Sequence, residues 1–186
     1  MFDELFGLLN DNMEEEMSKN QVNLIDVPEK VSEEIKALLG DPATVAVISA
    51  AGKDGTPYSQ VPHKIGLWED GRISVHQLLE KSLLQKNLVY SLWFDKRVSL
   101  LLAAKDGSSY HLYLKPYQAL VAGRDFTREY QQVLVDFGPE ADLSTVWLFD
   151  LESVVSSSYR EEQAREREAH PYLYHLDHIA KEEYRA

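Results

Sequence analysis

Six histidines, 31 carboxylates and no cysteine bound the side-chain chemistry open to this chain of 186 residues. The densest group lies in HPYLYHLDHI, where His170, His175 and His178 stand near Asp177. Imidazole with carboxylate is a ligand set for zinc or iron. Pro171 separates His170 from the others, and His175 and His178 alone form an i, i+3 pair, so no metal site is expected. A Ser-His-Asp hydrolase would lack its G-x-S-x-G elbow. Neither a G-x-G-x-x-G turn nor a P-loop occurs, which removes the usual nucleotide cradles. The absence of cysteine excludes disulfides and thiolate metal sites, and fits a reducing, cytoplasmic setting. His63 and His76 remain as acid–base candidates by chemistry alone, and no catalytic residue can be assigned. By themselves they read as half-buried strand residues, Lys64 and Lys81 as solvated cations, and Ser82 as a helix N-cap.

Charge narrows the partners. Nineteen Lys and Arg against 31 Asp and Glu give a net charge of -12. That argues against nonspecific nucleic-acid binding, which works by neutralising phosphates, and favours solubility. An anionic ligand must therefore be gripped by a local cluster of donors. No apolar run approaches the ~20 residues that span a bilayer. MFDELFGLLNDNMEEEMSKN is acidic and lacks the basic start of a signal peptide.

The elements that would position these groups centre on residues 43–104. Asp54-Gly55 and Asp70-Gly71 follow apolar, β-branched runs, as hairpin turns do, and Asp106-Gly107 is a third such signal. Residues 43–50 read as a strand buried on both faces. Residues 58–68 read as one second strand, bulged or on an edge at Pro62. Residues 72–78 make the third strand, 98–104 the fourth, 110–122 a long fifth bent at Pro116, and 144–155 the last. In the fifth, His111, Tyr113, Lys115 and Tyr117 oppose Leu112, Leu114 and Leu120. Helical spacing marks Phe2, Leu5, Phe6 and Leu9, then Val31, Ile35, Leu38 and Leu39 after a start at Asp26 and Pro28. It marks also residues 79–92, and 126–137 behind an Asp125 N-cap. Residues 159–169 are charged nearly all round, so that helix faces solvent or another subunit. Six strands joined mostly by hairpins favour an antiparallel barrel, which removes sheet edges.

In order and spacing, VAVISAAGKDGTPYSQVP, DGRISV, EKSLLQKNL, DKRVSLLL and YHLYLKPYQALV resemble the FMN-binding split barrel of the pyridoxamine 5'-phosphate oxidase-like superfamily, over roughly residues 31–137. The resemblance implies a mainly β protein with α: a six-stranded antiparallel split β-barrel of Greek-key type, with flanking helices and a C-terminal helical arm. It implies an FMN-binding barrel (26–156); the acidic helical segment (1–25) and the helical arm (157–186) are read from the composition of the residues outside it. It implies a homodimer with FMN in each of two clefts between subunits. In that family the second strand and the turn after the third hold flavin and phosphate. Carried over, these are Gln60, Val61, Pro62, His63 and Lys64, then His76, Gln77, Leu78, Lys81 and Ser82; Lys86 competes with Lys81. A phosphate needs charge-assisted donors, and free amides at a helix start supply more. The implied function is an FMN-dependent oxidoreductase acting on a small, unidentified substrate. The alternative is a noncatalytic barrel holding haem, a deazaflavin or FMN for electron transfer or sensing. The substrate-phosphate arginines of a vitamin B6 oxidase have no counterpart near the C-terminus, where Arg185 is a stray terminal residue.

Overall fold

In the computed structural model, which describes residues 31–169, three Asp-Gly turns fold the chain back on itself. Gly55, Gly71 and Gly107 take φ of 80°, 89° and 88°, a region that strains any residue with a side chain. The aspartate before each glycine closes the turn. Asp54, Asp70 and Asp106 accept the amides of Thr56, Arg72 and Ser108 at 3.1, 3.1 and 2.9 Å. The strands are β1 (Val45–Ala51), β2 (Pro57–Gln60), β3 (Lys64–Leu67), β4 (Ile73–Gln77), β5 (Val98–Ala103), β6 (Ser109–Leu120) and β7 (Thr145–Ser156). They form one antiparallel sheet in the order β2-β1-β5-β6-β7-β4-β3. Four helices are described: α1 (Glu33–Gly40), α2 (Leu83–Trp93), α3 (Arg124–Phe137) and α4 (Tyr159–Ala169).

The sheet has seven strands where six were expected, because the run 58–68 is two strands. Pro62 has no amide to donate and restricts Val61, so pairing stops there. β2 pairs with β1 at one edge, and β3 pairs with β4 at the other. This fixes the curvature. A flat seven-stranded sheet would hold its edges about 29 Å apart, yet residues 61–63 alone join them. Four residue steps reach at most about 14 Å, so the sheet must curl into a half-barrel.

Side chains therefore point into the curl or out of it. β1 is buried on one face, not two: Ala46, Ile48 and Ala50 point inward, while Val45 is exposed. Leu100, Leu102, Leu112, Leu114, Trp147 and Phe149 join them in the core. β4 is buried on both faces, since Ile73 and Val75 meet that core while the opposite face lies towards α3. The bulge between Pro116 and Gln118 reverses the facing of β6. Leu120 consequently leaves the Leu112 and Leu114 face and packs with Val133, Val146 and Leu148. α2 closes one end of the curl with Leu84, Asn87, Leu88 and Ser91.

Three helix starts differ from expectation. The helix expected over 79–92 begins only at Leu83, behind the Ser82 cap, so residues 79–82 are not helical. Val31 and Ser32 are not helical. α1 begins where Ser32 Oγ accepts the Ile35 amide at 3.3 Å, and residues 26–30 lie outside the described residues. Gly123, not Asp125, caps α3, because its φ of 99° turns the chain and leaves Asp125 in the first turn. Both the 1–25 segment and the histidines of the tail lie outside the described residues.

Candidate functional site

Register brings the two predicted groups together. Lys64 at the start of β3 is paired with His76 near the end of β4. The 61–63 link and the 78–82 segment therefore leave the sheet at the same end. From there the chain enters α2, where Ser82 Oγ accepts the Gln85 amide at 3.0 Å. Ser82 is thus the N-cap that its sequence suggested, and the first amides of α2 open at this end. Lys81 is exposed, and its ammonium makes no ion pair or hydrogen bond among the described residues. Val61 is exposed, Pro62 is buried, and Gln60, His63 and Leu78 are half-buried. The Nδ1 of His63 is buried without a partner.

Three other candidates are paired or buried. His76, 3 % exposed, lies beneath α3 with Nε2 3.0 Å from Glu129 Oε2. Burial pushes its pKa down, against the pull of the Glu129 carboxylate. Lys64 is ion-paired to Asp136 at 2.7 Å, which holds that carboxyl below its ordinary range, with help from Gln132. Gln77 is fully buried, with both amide atoms unpartnered, and its backbone oxygen accepts the Ser144 amide at 2.8 Å. Of these three, only backbone atoms or a rearranged side chain could reach a ligand outside the barrel.

Several residues that hold the site in place were not singled out in the sequence. Gln85 bridges α2 to β7: its Nε2 donates to Thr145 Oγ1 and its Oε1 accepts Trp147 Nε1, both at 2.8 Å. Asn87 donates to the Ala50 carbonyl at 3.0 Å. A side chain at Gly52 would come within 3.2 Å of Asn87 Oδ1, so glycine permits this close approach. Glu129 and Asp136 are acids on the sheet side of an otherwise apolar helix face, seven residues apart. That interruption is the signal that could have found them.

The two halves of the sheet differ outside the curl. α3 covers the outer side of β4 and β7. On β1, β5 and β6 no described helix covers the outer side, where Val47, Leu101 and His111 form one cross-strand row and Ser49, Ser99 and Tyr113 the next. These residues are half-buried or exposed.

No protein-family model and no curated protein matches the sequence. Solved structures do. An FMN-binding protein from Syntrophomonas wolfei matches at a TM-score of 0.54 and 11 % identity, covering 83 % of this chain and 97 % of that one. The HupZ protein of Group A Streptococcus matches at 0.55 and 11 % identity, covering 69 % and 95 %. A candidate pyridoxamine 5'-phosphate oxidase from Lactobacillus delbrueckii matches at 0.51 and 14 % identity, covering 68 % and 94 %. The likeness is one of fold: the chain shares with these structures an antiparallel sheet curled into a split barrel. No helix among the described residues is long and apolar enough to cross a membrane.

Proposed function

We propose that this split barrel is an FMN-binding flavoprotein that exchanges electrons with a small substrate, its flavin held at a homodimer face by the 61–63 link and the start of α2. The observation that carries this reading is Lys81: a cation with no ion-pair partner among the described residues, beside the Ser82 cap and the first amides of α2, in a molecule of net charge -12. A phosphate would take its charge from Lys81 and hydrogen bonds from the Ser82 turn. The unpartnered Nδ1 of His63 gives the same end a second polar atom with bonding capacity to spare. A bound flavin would supply hydride or electron-pair transfer. The chain's own work is to anchor the phosphate, seat the ring against the 61–63 backbone, and keep His63 within reach as a proton carrier. Lys64, His76 and Gln77 are then framework, holding β3 and β4 in place behind the site.

The outer side of β1, β5 and β6, which no described helix covers, supports the dimer, since half-buried Val47 and Leu101 gain from cover. Residues 26–156 would be the cofactor-binding unit, and residues 157–186, α4 included, an arm on the partner, in a cytoplasmic protein. The noncatalytic alternative rests on the same His63 nitrogen, which could ligate haem. Absorption of the purified protein separates the two, as a flavin spectrum supports the first reading and a Soret band the second. Lys81→Ala should weaken FMN binding about tenfold or more, the worth of a charge-assisted hydrogen bond. Unchanged affinity in a fluorescence titration removes Lys81 from the site. Sedimentation as a monomer with flavin bound refutes the dimer face.

A further inference from the structure

Inside the end of the curl that α2 closes, three polar side chains share one cross-strand row. On β4, Gln77 follows Val75 by two residues and so shares its core-facing side. On β7, Thr145 precedes Trp147 by two and does the same. Gln77 and Thr145 are register partners. His63 stands one residue before Lys64, the partner of His76, which places it opposite Gln77 at the end of the row. Opposite side chains start about 5 Å apart, within reach of a glutamine. Gln77 is fully buried with neither amide atom partnered, and His63 Nδ1 is sealed without a partner as well. A polar atom buried alone carries its full desolvation cost, which a small turn of these two side chains towards each other removes.

Trp147 sets the direction of that joining. An indole only donates. Its Nε1 therefore holds Gln85 with Oε1 on Trp147 and Nε2 donating to Thr145 Oγ1, both at 2.8 Å. The hydroxyl proton of Thr145 has one acceptor in range among the described residues, Ser144 Oγ at 3.2 Å. What remains on Thr145 Oγ1 is a lone pair, so Gln77 can meet it only through Nε2. Gln77 Oε1 then faces His63, and the imidazole proton belongs on Nδ1. We propose that Gln77 is the positioning residue for His63. It accepts the Nδ1–H of the neutral ring and leaves the lone pair on Nε2, the nitrogen that is not sealed in, at the end of the sheet where residues 78–82 also emerge. The bonding capacity of Nδ1 is thereby turned inward, and the site receives Nε2 as a proton acceptor. That proton step rests on the flavin reading; the tautomer does not, because it is set inside the barrel.

Long-range proton–nitrogen correlation spectra of the full, nitrogen-15-labelled chain read the tautomer at about pH 8.5, above the ordinary imidazole range. His63→Asn assigns the signal. The parent should show His63 protonated on Nδ1. Gln77→Leu should abolish that preference and lower the urea midpoint, because Nδ1–H loses its acceptor. Thr145→Val, which does not reach His63, should weaken the preference by freeing the Gln77 amide to turn. His63 protonated on Nε2 in the parent would overturn the inference, as would an unchanged tautomer in either folded variant. So would a Gln77→Leu variant more stable than the parent, which would show an amide with no partner to lose. FMN bound by a parent with the other tautomer would sink this inference and leave the cofactor reading standing.

Discussion

The clasp between His76 and Glu129 should set how this protein responds to acid. His76 is nearly sealed beneath α3, Glu129 is 17 % exposed, and they meet at 3.0 Å. Lys64 and Asp136 are the other charges that face the imidazole. Burial lowers the His76 pKa from its ordinary 6.5, and Glu129 only partly offsets this. As pH falls through 6.5, the unfolded imidazole takes up a proton that the folded one refuses. The unfolded state then binds more protons, so stability falls on acidification and levels off once the folded imidazole also titrates. One proton gives a slope of at most about 1.4 kcal/mol per pH unit. Glu129→Ala leaves a buried ring nitrogen unpartnered and should cost about 1–3 kcal/mol even near pH 8. Glu129→Gln keeps an acceptor but removes the charge that supports the imidazolium. It should sit near the parent at pH 8 and lose more than the parent on acidification. Urea denaturation from about pH 5 to pH 8 measures all three. A Glu129→Ala variant within about 0.5 kcal/mol of the parent, or a His76→Gln variant with the parent's slope, would refute the clasp.

Gln85→Leu should cost about 1–3 kcal/mol, chiefly because Trp147 Nε1 loses its acceptor, while Thr145 Oγ1 keeps the Ser144 hydroxyl at 3.2 Å. An unchanged urea midpoint would show that these bonds contribute nothing net. Tyr110, donating to Glu34 at 2.5 Å, has its pKa pushed up to about 12 by that bond and by partial burial. Its raised pKa favours the folded state until the unfolded phenol loses its proton near 10, and that stability is lost as pH rises towards 12. An ultraviolet titration should find one late tyrosine that moves back towards 10 in Glu34→Ala. Overlaid titration curves would mean the bond does not form in solution.

What the sequence disclosed depended on the range of the interaction that decided each element. The Asp-Gly turns are local: an aspartate that reaches the amide two residues on and a glycine with positive φ need nothing from the rest of the chain. Ser82 is legible for the same reason, since a cap and its amide lie three residues apart. The unity of 58–68 failed because alternation carried the same apparent face across Pro62. Only the distant partners, β1 for one half and β4 for the other, reveal that the halves belong to opposite edges. Leu120 was misplaced by a bulge, which adds a residue without changing composition. The pairing of Lys64 with Asp136 spans 72 residues, beyond any pattern of spacing.

That last pairing matters for function as well as for fold. Lys64 and Lys81 are equally plausible anion anchors by residue type. In a chain of net charge -12, a cation attracts a phosphate only if no carboxylate has reached it first. Asp136 reaches Lys64 because both lie on the side of the sheet that α3 covers. Lys81 escapes because it sits on the loop before α2, past the end of the sheet, where no described acid approaches within an ion-pair distance. The position of α3 therefore chooses between two lysines that composition cannot separate. Substituting Asp136 would free a second cation behind the first, but beneath a helix and away from the Ser82 amides. Charge alone at that place would lack the directed donors that distinguish a phosphate site from a basic surface.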